Sequence, residues 1–231
     1  MSRSKSVAII GCGWLGKPLF VELQKSFCVE CFSRENTLDE SSFWQSDTVI
    51  IAIHTKENYL STLQKIATLT NSTSDIILMS STSVYKEFDE DIDESAIITK
   101  GSLIKEAEDL LLAQRERVLI LRLGGLMGSD RVAGVWKSAT AFSDGFVNYI
   151  HRDDVIAIVN KMLHAGVNSG IYNLVAPKHP TRAEIHQKNS KKHEREMGTF
   201  DGFSRRRVSS KKTIDELGYD FLYPNPLEFW D

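Results

Sequence analysis

Two stretches of this 231-residue chain combine residue types and spacings that suit chemistry. The first is "VAIIGCGWLG", where Gly11, Gly13 and Gly16 form a GxGxxG pattern between a β-rich run and a run with helical apolar spacing. In that context Gly11 permits a tight turn and Gly13 lets the backbone of Cys12, Trp14 and Leu15 approach a pyrophosphate. Gly16 lets the helix lie close to the strand. The start of the helix then attracts the anion. The alternative is a glycine turn with no ligand. The second stretch is "SSTSVY", residues 80–85, which places Ser80, Ser81, Thr82 and Ser83 directly after the apolar run "IILM". Such hydroxyls either cap the next segment or face a substrate.

The glycine pattern raises the question of which dinucleotide it suits. An acid at the end of the second strand holds a ribose 2′-hydroxyl, whereas an arginine there accommodates a 2′-phosphate. Here that strand ends at Ser33 and Arg34, and Glu30 falls too early, inside the strand. A hydroxyl beside a guanidinium suits a phosphate through charge-assisted hydrogen bonds, so NADP is expected ahead of NAD. A solvated loop charge is the competing account of Arg34. Ala52, Ile53 and His54 close the apolar run "VIIAIH" at the same edge and complete the expected cofactor-side set.

The elements that must position these residues are legible as an alternation. Apolar runs at 6–10, 27–33, 47–53, 74–81, 117–124 and 170–176 alternate with helical patterns at 14–26, 57–70, 102–114 and 153–166. Strands that are apolar throughout, separated by amphipathic helices, imply an α/β fold with a doubly wound parallel sheet, a Rossmann fold. Its ligands bind at the carboxyl edge of the strands, where Ser80–Ser83 lie. Residues 1–176 are expected to form the dinucleotide-binding domain, and residues 177–231 a small C-terminal lobe on the substrate side.

Composition fits this picture. The chain is 42% hydrophobic and 26% charged, ordinary for a soluble globular protein. A net charge of -3 argues against a dedicated nucleic-acid binder. No apolar run reaches the roughly 18–20 residues that cross a bilayer. A soluble, cytoplasmic protein with no membrane and no nucleic-acid partner is expected. Cys28 and Cys31 form a C-x-x-C, but on a strand residues three apart point to opposite faces. Plain strand packing is therefore expected for them.

Several segments, in order, carry a family resemblance: "IIGCGWLG", "VIIAIH", "ILMSSTSVY", "IKEAE", "LILRLGGLMG", "NYIHRDDV", "IYNLVA" and "RRVSSKKTIDELGY". Together they resemble the extended and atypical short-chain dehydrogenase/reductases, the group of NAD-dependent epimerases, dehydratases and nucleotide-sugar reductases. That resemblance implies a serine in an "SSxSVY" motif and a Tyr-x-x-x-Lys pair. It places Ser81 on the serine, with Thr82 beside it on the substrate side, and Lys105 on the lysine that holds the cofactor ribose. The tyrosine position is Gly101, which cannot act as an acid. Tyr85 and Ser102 are the nearby candidates to replace it. Arg131 matches an arginine that the family often places near the substrate, and the helix over 102–114 corresponds to one that pairs across a homodimer interface. The resemblance therefore implies an NAD(P)-linked oxidoreductase or epimerase/dehydratase-like protein acting on a nucleotide-sugar or a small carbonyl or hydroxy compound. The alternative is a non-catalytic NADP-binding redox sensor or regulatory module.

Three further features have plainer readings. The acidic run "EFDEDIDES" lacks the glycine and glutamate of a calcium loop, and a solvated loop over the site entrance is expected. The basic residues Lys188, Lys191, Lys192, Arg195 and Arg205–Arg207 read as a solvated surface, with a phosphorylated substrate as the functional alternative. His151 is expected to be mainly structural, with Asp153 or Asp154 capping the helix that follows.

Overall fold

The structure is a computed structural model that describes residues 5–33, 43–54, 57–99, 101–135 and 141–231. In chain order its elements are β1 (Ser6–Ile10), α1 (Gly16–Leu23), β2 (Cys28–Phe32), β3 (Thr48–Ile51), α2 (Tyr59–Leu69), β4 (Asp75–Ser81), β5 (Asp91–Ile92) and α3 (Leu103–Gln114). There follow β6 (Val118–Leu123), β7 (Gly125–Met127), β8 (Ala141–Gly145), β9 (Tyr149–His151), α4 (Arg152–Ala165), β10 (Gly170–Leu174), α5 (Arg182–Lys192), β11 (Thr199–Ser204), β12 (Arg207–Val208) and α6 (Lys211–Leu217). No helix among the described residues is long and apolar enough to cross a membrane.

The chain divides into two compact units. The first comprises residues 1–84, 99–122 and 158–172, and the second residues 85–98, 123–157 and 173–231. The expected lobe of residues 177–231 thus forms only part of the second unit, which also draws on two earlier segments.

The first unit is built on the expected sheet. Its order is β10-β6-β4-β3-β1-β2, with β1 parallel to both β2 and β3, and β3 parallel to β4. β3 and β6 are buried along their whole length, as strands covered on both faces must be. Leu63, Ile66 and Ala67 of α2 and Ala107 and Leu111 of α3 close one face around Ile51, Ile76 and Leu78. The apolar face of α3 is thereby used within its own unit.

The second unit is assembled from short strands that pair across long sequence separations: β7 with β9, β8 with β11, and β5 with β12. The acidic run is corrected here. Asp91 and Ile92 form β5, Arg207 grips both oxygens of Asp91 at 2.6 and 2.9 Å, and Asp89 accepts the backbone N–H of Arg205 at 2.6 Å. Asp154 also differs from its expected capping role. It is fully buried and accepts the Tyr219 hydroxyl at 2.8 Å and the backbone N–H groups of Leu222 and Tyr223 at 2.7 and 3.1 Å. His151 is buried, and its ring lies 3.8 Å from the Tyr223 ring and tilted 30° to it, in keeping with the structural role expected for it.

His186 makes this unit sensitive to acid. It is 1% exposed, with the rings of Phe142 and Phe200 edge-on to it at 4.5 and 5.3 Å. Burial, reinforced by the charge of Arg182, pushes its pKa down from 6.5 to about 4. Between those values the unfolded chain binds the proton and the folded chain does not. Stability is therefore fully present above pH 6.5 and is lost as pH falls toward 4, by up to about 3 kcal/mol. His186→Phe is expected to flatten this part of the pH profile in urea unfolding. An unchanged slope would show that another group carries the dependence.

Candidate functional site

The site of the first unit starts where β1 stops. Gly11 has φ +107°, and a Cβ there would stand 2.4 Å from the carbonyl oxygen of Ala52, so only glycine fits. The backbone N–H groups of Gly11 and Cys12 donate to the Phe32 carbonyl at 2.9 and 3.2 Å, and Ala52 N–H donates to the Ile10 carbonyl at 2.8 Å. The loop thus hangs between the carboxyl ends of β2 and β3. Gly16 opens α1, where a Cβ would lie 2.0 Å from the Gly11 carbonyl oxygen, so the helix can seat on the loop only as glycine.

Gly13 differs from both. It is exposed, its φ lies outside the left-handed region, and a Cβ built on it would meet no atom within 4 Å. Nothing in the protein's own packing asks for glycine there. A side chain at residue 13 would obstruct only a molecule approaching the loop from outside. The start of α1 beside it has Leu15 at the N-cap and no side-chain cap; Lys17 N–H donates to the Gly13 carbonyl at 3.0 Å and Pro18 carries no N–H, which leaves the Gly16 N–H of the first turn for water or a ligand. A pyrophosphate fits such a cradle, because backbone N–H groups at a helix start attract and bind anions.

The remaining cofactor-side residues border this loop. Ser33 is exposed just past β2; Ala52 and Ile53 are half-buried and His54 exposed just past β3. Trp14 and Leu15 are half-buried within the loop. Arg34 lies outside the described residues. Cys12 holds a surprise, since its sulfur is paired with that of Cys31 across the gap between loop and β2, with Cα atoms 5.8 Å apart. The expectation of plain strand packing is corrected for Cys31, while Cys28 is free and exposed.

The hydroxyl cluster divides by role. Ser80 is buried, and its Oγ donates to Glu108 Oε1 of α3 at 2.5 Å. Arg122, the last residue but one of the otherwise apolar β6, donates from Nε to Glu108 Oε1 and Oε2 at 3.0 and 3.2 Å and from Nη2 to Oε2 at 2.6 Å. Both ends of this ion pair are almost wholly buried. Burial and the charge of Glu108 push the Tyr59 phenol up to about 12. Ser81 is the next residue along, half-buried, and its Oγ accepts the backbone N–H of Ser83 at 3.1 Å. Thr82 is buried. Part of the cluster therefore does cap the segment after β4, and Ser80 is a structural anchor.

That anchor also fixes Lys105. Ser102 caps α3 by accepting the Lys105 backbone N–H at 3.2 Å. Lys105 precedes Glu108 by three residues, one turn of helix, so it shares the face of α3 that Ser80 holds against the end of β4. Its ammonium group pairs with Asp109 on the next turn. Gly101 is exposed, and a Cβ there would meet only Glu106 Oε1, at 4.0 Å.

Two candidates fall in the second unit. Tyr85 is fully buried, with its hydroxyl donating to Asn173 Oδ1 at 3.1 Å. A phenol with no exposed surface and a protein partner cannot reach a substrate oxygen, so the expectation that it replaces the missing acid is corrected. Arg131 is half-buried in a turn where its N–H donates to the Gly128 carbonyl at 2.9 Å. Three of these basic residues are engaged: Lys188 pairs with Asp231, Lys192 with the Trp230 carbonyl, and Arg207 with Asp91.

Glu108 and Arg122 had a signal in the sequence. A glutamate on the apolar side of α3 and an arginine inside an apolar strand each demand a buried partner, and here each satisfies the other.

No family model matches the chain. It is 27% identical to Protein YeeZ of Escherichia coli (strain K12), over 96% of this chain and 98% of the relative. Among solved structures, it is similar to a putative NAD-dependent epimerase/dehydratase from Methylobacillus flagellatus, with TM-score 0.77, 19% identity and 99% and 96% of the two chains covered. It is also similar to a human epimerase family protein solved with NADPH, with TM-score 0.73, 17% identity and 96% of each chain covered. UDP-glucuronic acid 4-epimerase from Bacillus cereus, in complex with NAD, gives TM-score 0.77 at 15% identity, with 97% of each chain covered. The Rossmann-type fold expected from the sequence is therefore shared with proteins of the epimerase/dehydratase and short-chain dehydrogenase/reductase kind.

Proposed function

We propose that the first unit binds a nicotinamide dinucleotide, with its pyrophosphate over Gly13 and the first turn of α1. The observation that carries this reading is Gly13 itself, a glycine that no contact or backbone angle within the protein requires. Ser33 and Arg34 would meet the adenosine side, and a hydroxyl and a guanidinium, not an acid, as the first two residues after the strand favour NADP over NAD. Ala52, Ile53 and His54 would line the floor past β3. Several proteins of the same fold were solved with NADPH or NAD, which supports the class of ligand.

Bound there, the nicotinamide would supply or accept hydride. Of this chain's own residues, Ser81 would orient the reacting oxygen, with Thr82 beside it, and Lys105 would exchange Asp109 for the cofactor ribose. Arg131 is proposed on the substrate side. The substrate class is a nucleotide-sugar or a small carbonyl or hydroxy compound, and the reaction a hydride transfer or an epimerase/dehydratase-like step. A specific observation favours a second reading, a dinucleotide-binding sensor without turnover. Gly101 supplies no acid and Tyr85 is sealed in the second unit, so neither can protonate a substrate.

The deciding experiment is calorimetric titration with NADPH and NADH, followed by cofactor consumption with a panel of nucleotide-sugars and carbonyl compounds. NADPH is expected to bind, and more tightly than NADH. Turnover that Ser81→Ala abolishes would sink the sensor reading, and binding of neither dinucleotide would sink both.

A further inference from the structure

Cys12 stands in the loop that a dinucleotide would touch, and Cys31 in the strand beside it. Cys12 lies between Gly11 and Gly13, and Cys31 is the last residue but one of β2, opposite Ile9 in the parallel register. Their Cα separation of 5.8 Å falls at the common spacing of disulfide-linked residues. Both are half-buried, within reach of a small reagent. Cys28, three residues before Cys31 on the same strand, points to the other face and does not compete.

The pair has a mechanical consequence. The N–H of Cys12 already rests on the Phe32 carbonyl at 3.2 Å. A covalent bond from the same residue to β2 locks that arrangement, so the N–H cannot turn outward toward a phosphate. Without the bond, hydrogen bonds alone, from Gly11 at 2.9 Å and Cys12 at 3.2 Å, tie this turn to the Phe32 carbonyl.

We propose that Cys12 and Cys31 are a reversible thiol–disulfide pair that sets the dinucleotide affinity of the glycine loop: the dithiol form binds, and the disulfide form does not. The inference rests on the dinucleotide reading above. The oxidant is a low-molecular-weight disulfide. One cysteine thiolate attacks a sulfur of that disulfide, forming a mixed disulfide and expelling one thiolate. The second cysteine thiolate then attacks the protein sulfur, closing the Cys12–Cys31 bond and expelling the other thiolate. The two cysteine protons end on the two released thiols. The protein is oxidised by two electrons and the reagent reduced by two.

The protein would be equilibrated in glutathione or in glutathione disulfide, the bond located by peptide mass mapping, and NADPH affinity measured by calorimetry. The oxidised protein is expected to bind about tenfold more weakly or worse, the loss of one hydrogen bond to a charged phosphate. Cys31→Ser is expected to keep the reduced-form affinity in both buffers, and Cys28→Ser to respond like the parent. Equal or tighter binding by the oxidised protein, or no Cys12–Cys31 peptide, would overturn the proposal. If neither the reduced parent nor Cys31→Ser binds NADPH or NADH, the dinucleotide reading itself has failed and the switch falls with it, whatever the peptide map shows.

Discussion

Gly13→Val is expected to reduce NADPH affinity about a hundredfold or more while leaving the melting temperature nearly unchanged. The affinity term follows from displacing the pyrophosphate from two backbone donors, each worth about 1.5–3 kcal/mol to a charged acceptor. The stability term follows from the open space around residue 13 and its ordinary φ. Gly16→Ala is the contrast. Its Cβ would sit 2.0 Å from the Gly11 carbonyl oxygen, a collision with backbone that no rotamer relieves. Overpacking of that kind costs about 1–3 kcal/mol or more, so this variant loses stability together with binding. Measuring Tm and Kd on both variants separates a glycine kept for a ligand from one kept for packing. A Gly13→Val protein that binds NADPH as well as the parent would remove the observation on which the proposed function stands.

Glu108→Ala and Arg122→Ala are each expected to cost about 3–5 kcal/mol of stability, the usual consequence of stranding one charge of a buried pair. Both side chains are almost fully buried, so the surviving charge keeps its desolvation cost without its partner. The double variant Glu108→Leu, Arg122→Met is expected to recover most of the loss, because a pair replaced by apolar groups of similar volume leaves no orphaned charge. Urea unfolding of the two single variants and the double gives the coupling directly. Single losses below about 1 kcal/mol would mean that water or rearrangement rescues the remaining charge. Ser80 extends the test to the candidate site, since its 2.5 Å bond to Glu108 ties α3, already packed on the sheet through Ala107 and Leu111, to the end of β4.

The first unit was largely legible in the sequence. "SVAII", "DTVIIAI" and "RVLILRLG" announce buried strands because both faces of a covered sheet are apolar, and the glycine spacing marks the loop between β1 and α1. The second unit was not. Asp91 and Ile92 become a strand only because Arg207 and Val208 lie beside them, more than a hundred residues away in sequence. No local pattern records such a partner. The cysteines teach the same lesson at shorter range: the sequence pattern displays Cys28 and Cys31 as a C-x-x-C, whereas the parallel register of β1 and β2 brings Cys31 beside the loop that follows β1. Tyr85 looked available because it follows the hydroxyl cluster in sequence, yet the short helical turn over Thr82–Tyr85 carries it into the other unit's interior.

The strand order β10-β6-β4-β3-β1-β2 also bears on how the chain leaves the ribosome. β1 and β2 emerge first and form one outer pair. β3 then adds on the other side of β1, and β4, β6 and β10 each join the strand most recently placed in the sheet. Assembly can therefore advance in the direction of synthesis, with the glycine loop framed by β1, β2 and β3 once residue 54 has emerged. The cost is a growing edge of unpaired backbone, a template for other nascent chains. That edge passes from β3 to β4 to β6, apolar strands buried in the finished sheet, and comes to rest on β10 only when residue 174 has appeared.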